Sequence, residues 1–105
     1  MGKVLVRDDA LQNWRVPGAE HQVRPVRDDA EHRTLLLQKL LEETKEVVFA
    51  EDRAEMLKEI SDVLAVLVAL AWKNGIGWGE VLEKRGERDM AVGGFIKGMV
   101  WETDR

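Results

Sequence analysis

The sequence predicts an all-α fold, an antiparallel helical bundle with room for a small terminal β-ribbon. Two long stretches repeat apolar residues at three-to-four spacing, and aspartates and glycines stand where those stretches begin and end. The longest apolar run, Val63 to Trp72, fits a buried helix and falls short of a membrane span.

Taken in order, Val6-Arg7-Asp8-Asp9-Ala10 recurs as Val26-Arg27-Asp28-Asp29-Ala30, too short for a repeat architecture but placing Asp twice where a helix can start. The first copy predicts a short helix around Ala10 to Trp14, closed by Pro17-Gly18 and followed by loop to Pro25. The second opens a long amphipathic helix, about Ala30 to Ala50, whose Leu36, Leu37, Leu40, Leu41, Val47 and Val48 keep helical spacing. Asp52 caps the next helix, which carries a broad stripe from Met56 to Ala71 and stops at Asn74-Gly75. A link this short makes the two helices antiparallel neighbours. A third helix follows over roughly Gly79 to Met90. After Gly93-Gly94, Phe95 to Trp101 reads as a short strand, with Lys3 to Val6 as its candidate partner.

At 105 residues, 45% hydrophobic, the chain suits one domain, 1–105. The absence of cysteine excludes disulfides, thiolate catalysis and cysteine-ligated zinc or iron. Charge appears too early at the N-terminus for a signal peptide, so a soluble, cytoplasmic protein is expected. The net charge of -4 argues against general nucleic-acid binding. Between Glu42 and Asp62 stand eight acids and three bases, a local balance more negative than that of the whole chain.

Within that window Glu43 and Glu46 are three apart on one helix, and Glu59 and Asp62 three apart on the next. Such pairs share a helix face, and two packed antiparallel helices bring four carboxylates toward one point. An oxygen-only cluster suits magnesium, a hard cation that shares itself with substrate phosphates, and manganese as its substitute. Most acid runs on helices are solvated faces. Against that reading, neither Lys45 nor Lys58 stands four residues beyond Glu43 or Glu59, so the usual intrahelical pairs do not neutralise them. Asp62, beside Ile60, Val63 and Leu64, is also expected to be partly buried.

Leu41-Glu42-Glu43-Thr44-Lys45-Glu46-Val47 followed by Glu59-Ile60-Ser61-Asp62-Val63-Leu64 resembles the paired ExxE and ExxD motifs of the MazG-like and phosphoribosyl-ATP pyrophosphohydrolase superfamily, the all-α NTP pyrophosphohydrolases. Lys3-Val4-Leu5-Val6-Arg7-Asp8 and Gly93-Gly94-Phe95 are similar to the start and end of a small MazG-like branch. The resemblance implies magnesium-dependent water attack at the α-phosphorus of a nucleotide, with pyrophosphate leaving. Carried over, Glu43, Glu46, Glu59 and Asp62 become the metal ligands, and Glu42 a second-metal ligand or the base that activates water. Arg7, Lys84 and Arg88 are the candidate partners of the pyrophosphate. Val92 stands where the small branch often has Arg before Gly-Gly-Phe, so that charge is vacant or passes to Arg88 or Lys97.

The leading expectation is house-cleaning of non-standard nucleoside triphosphates, with the phosphoribosyl-ATP step of histidine biosynthesis as its enzymatic rival. A non-catalytic oligomerisation or regulatory module is the reading of another class, and it would gain stability by losing the four acids. His21 and His32 read as surface residues. The four tryptophans read as core or interface, with Trp78 the outside candidate for stacking on a base. One antiparallel pair leaves apolar faces uncovered, which predicts a homodimer or a dimer of dimers.

Overall fold

The computed structural model describes residues 3–9 and 23–103. Three helices follow in order: α1, Asp29–Phe49; α2, Arg53–Lys73; and α3, Trp78–Val92. Their ends follow local chemistry. The carboxylates of Asp28 and Asp52 accept from the Glu31 and Glu55 amides at 2.8 Å, satisfying donors that have no partner inside the helix. At the end of α2, Gly75 takes φ +71°, and the amides of Gly75 and Ile76 turn back onto the Trp72 and Ala71 carbonyls at 3.0 and 2.8 Å. This left-handed residue closes the helix as a Schellman motif.

Helices α1 and α2 pack along their length, and the link around Glu51 sets their register. Asp29 and Lys73 lie equally far from Glu51 along the chain, and their side chains meet at 2.5 Å. Leu36 and Val66, also equidistant from it, are both buried. Among the described residues the buried set is Leu35, Leu36, Val66, Ala71 and one charged residue, Glu43. Helix α3 touches α2 more lightly, and no residue of it is buried.

Residues 3–9 lie across this pair as a strap, and Glu31 holds one end of it. Its carboxylate accepts from Lys3 at 2.7 Å, from both Arg24 terminal nitrogens at 2.8–2.9 Å and from the Arg27 amide at 2.8 Å. Arg24 first, then Lys3 and the Arg27 amide, hold the Glu31 carboxyl far below its ordinary value.

The expected strand does not form: residues 95–101 are bend, turn and irregular chain, residues 3–7 are irregular, and no strand occurs among the described residues. Phe95 and Ile96 are fully exposed, so a ribbon there has no apolar face to bury, and an isolated two-stranded ribbon is marginal at best. The short helix expected at Ala10 to Trp14 lies outside the described residues. No described helix is long and apolar enough to cross a membrane.

Leu36, 2% exposed, is the most deeply buried side chain among the described residues, so Leu36→Ala is expected to cost about 3 kcal/mol, read as a lower urea midpoint. Loss of the Asp52 cap in Asp52→Ala is expected to cost about 1 kcal/mol by the same measurement. The depressed Glu31 carboxyl contributes stability in full above its unfolded value near 4.5, and this is lost as the pH falls toward the folded value. Glu31→Gln should therefore flatten the acid limb of stability below about pH 4.5; an unchanged limb would remove Glu31 as the clasp.

Candidate metal centre

The register that pairs Asp29 with Lys73 also sets the acids level with one another. Glu43 and Glu59 are equidistant from Glu51, and Asp62 sits about one turn further along α2. Each of the three offers one carboxylate oxygen, and these oxygens lie within 4.8 Å of one another. Glu43 is buried and the other two are half-buried.

Glu46 stands outside this group. Spacing alone does not decide this, since Asp62 stands the same three residues beyond Glu59 and joins the group; what differs is which residues of α1 face inward at that level. The half-buried Val47 takes the inward position while Glu46 is exposed. Glu42 is exposed as well, 3.4 Å from the Lys39 ammonium, which lies 3.4 Å from Glu43 too.

The absence of neutralising lysines, expected from the sequence, is corrected here. The pairing runs in the other direction along each helix, with the lysine four residues before its acid: Lys39 to Glu43 at 3.4 Å and Lys58 to Asp62 at 3.1 Å. Lys58 also reaches Glu59 at 3.1 Å, and Arg7 donates from Nη2 to Asp62 at 2.6 Å. Three cations therefore face three carboxylates. Burial pushes the Asp62 carboxyl up, but the hydrogen bonds from Arg7 and Lys58 together outweigh it, and the net shift is downward. Asp62 and then Glu59 raise Lys58 in return.

Three carboxylate oxygens on two capped helices fit a hard divalent cation, since the donors are oxygen alone and the charge they present needs offsetting. Such a cation would take over the charge that Arg7 and Lys58 now supply.

Beside the acids opens a cavity of about 270 Å³. Glu43 and Asp62 line it at one side; Leu36, Val66 and Ala69 give it an apolar floor, and the strap closes over it with Leu5 and Val6. His32, expected at the surface, is half-buried and lines this cavity, with its ring 6.4 Å from that of Trp72. The signal for it was its spacing, because His32, Leu36, Lys39 and Glu43 follow one another at helical intervals down the inward face of α1. Of the three cations expected to serve phosphate, Arg7 is at the site. Lys84 and Arg88 lie on the exposed surface of α3 and do not line the cavity, Lys84 pairing with Glu87 at 3.1 Å.

No curated protein and no solved structure matches the chain. The family model for phosphoribosyl-ATP pyrophosphohydrolase matches residues 17–89, over two thirds of the chain, and all three clustered acids fall inside that range. The chain belongs to the phosphoribosyl-ATP pyrophosphohydrolase family, within the MazG-like all-α NTP pyrophosphohydrolase superfamily.

Proposed function

We propose that this chain hydrolyses a nucleotide triphosphate between its α- and β-phosphorus atoms, with magnesium or manganese held by Glu43, Glu59 and Asp62. The observation that carries the reading is the convergence of three carboxylates from two helices beside a cavity, inside the residues that match the family. Glu46, one turn beyond Glu43 on a long flexible side chain, is the fourth ligand in this reading.

A divalent cation held there supplies charge to the phosphate oxygens and lowers the pKa of a bound water. The remaining work falls to the chain itself. Water oxygen bonds to the α-phosphorus, the bond to the bridging oxygen breaks, and pyrophosphate departs. Glu42, exposed beside Glu43, accepts the proton of that water. Arg7, once Asp62 is given over to the cation, meets the phosphate charge with its guanidinium. Phosphoryl transfer asks mainly for this positioning and charge, and no covalent nucleophile is needed.

The family match favours phosphoribosyl-ATP as the nucleotide. The motifs at the two ends, similar to the small MazG-like branch, favour a non-standard nucleoside triphosphate in the cytoplasm, and one assay separates the two. With magnesium present, pyrophosphate release is followed from phosphoribosyl-ATP and from a panel of standard and damaged nucleoside triphosphates. Release from at least one is expected, and a flat trace from all would leave a non-catalytic module. Glu59→Gln should lower kcat by at least about 100-fold at unchanged helicity, because a ligand should matter more than the groups that merely orient ligands. Glu46→Gln should lower it too, and full turnover in that variant would remove Glu46 from the ligand set.

A second copy of the chain is the partner we propose. Leu41, Val48 and Phe49 on α1 and Leu57, Ile60 and Trp72 on α2 are each more than half exposed. The radius of gyration, 17.5 Å, exceeds the roughly 13 Å of a compact domain of this length. Equilibrium sedimentation at micromolar concentration should give a dimer or a dimer of dimers; a clean monomer would overturn this.

A further inference from the structure

We propose that residues 3–9 form one wall of a nucleoside pocket, so that the base and sugar of the substrate lie between this strap and the α1–α2 pair. The inference rests on the hydrolase reading of the neighbouring acids but adds an element outside residues 17–89, the part of the chain that matches the family. It assigns the cavity of about 270 Å³. Pockets for whole small-molecule ligands run from about 300 to 1,000 Å³, so this one takes part of a nucleotide rather than all of it.

The lining decides which part. Leu5 and Val6 of the strap, with Leu36 and Val66 of the helices, offer apolar surface suited to the faces of a planar base and poorly suited to a phosphate. His32 and Asp8 place hydrogen-bonding groups in the same lining, where the polar edge of a base needs them. Glu43 and Asp62, where the cation would hold the phosphates, belong to the lining as well, so the two halves of one nucleotide meet adjoining surfaces.

The strap is pinned at both ends by ion pairs, Lys3 to Glu31 at 2.7 Å and Arg7 to Asp62 at 2.6 Å. The second pin uses a proposed metal ligand. When a cation takes Asp62, Arg7 keeps the strap in place only by finding phosphate instead, which couples closure of the pocket to a substrate bound at both ends.

The test is calorimetric titration of the full chain, in magnesium, with the 5′-monophosphates of adenosine, guanosine, cytidine and uridine, and separately with inorganic tripolyphosphate. Leu5→Asn makes the strap polar without adding charge beside the acids, and Ala69→Phe fills the cavity from α2. At least one monophosphate should bind the parent chain and bind each variant tenfold more weakly or worse, while tripolyphosphate binds the parent and Leu5→Asn alike. Circular dichroism checks that the helices persist; should Ala69→Phe unfold, Val6→Asn replaces it as the second variant. The proposal is overturned if no monophosphate binds the parent chain, if Leu5→Asn binds it undiminished, or if Leu5→Asn weakens tripolyphosphate equally. Since no turnover is read, binding of a monophosphate by a chain that releases no pyrophosphate would keep the pocket and discard the hydrolase.

Discussion

Three carboxylates held within 4.8 Å of one another between two helices are the constraint on which the rest of the molecule depends. At an effective dielectric near 20, two like charges at that separation repel by about 3.5 kcal/mol. The chain offsets this with its own cations, Lys39 and Lys58 from one turn earlier on each helix and Arg7 from the strap. Any divalent ion must therefore compete with side chains already in place. That competition couples metal loading to the position of Arg7 and, through it, to the strap.

Much of the frame was legible in the residues because helix ends are decided locally. Asp28, Asp52 and Asn74-Gly75 mark termini through hydrogen bonds spanning two to five residues, and the structure places helix boundaries beside each of them. The acids at 43, 59 and 62 were legible for a related reason, since a three-residue link makes antiparallel register nearly a matter of counting. Glu46 shows where counting stops, because spacing of three or four residues defines a helix face about 100° wide while a cluster needs a direction within that face. The lysines were less legible because each stands four residues before the acid it neutralises, the reverse of the favoured order on a helix. Arg7 was singled out from the sequence, but the path of the strap was not legible: the contact from Arg7 to Asp62 spans fifty-five residues, and no local rule specifies it.

The thin core gives the same lesson from the side of energetics. Among the described residues four apolar side chains are buried, while the outer faces of α1 and α2 carry Leu41, Phe49, Leu57 and Trp72 well exposed. Burial of apolar area is the main favourable term in folding, so a helix pair with so few buried residues draws much of its stability from whatever covers those faces. The inward face of the pair spends its limited width on Glu43 and His32 as well as on leucine. Chemistry and core compete for one stripe of helix.

The link Ala50 to Asp52 acts as a ruler. Because Glu43 with Glu59 and Asp29 with Lys73 are each symmetric about Glu51, a single residue inserted there would slide one helix past the other and swing every later side chain about 100° around its axis. Insertions and deletions in most surface connections are absorbed without harm. Here they would dissolve the acid cluster while leaving both helices intact, which makes the length of this connection, more than its composition, the quantity that a functional relative has to preserve.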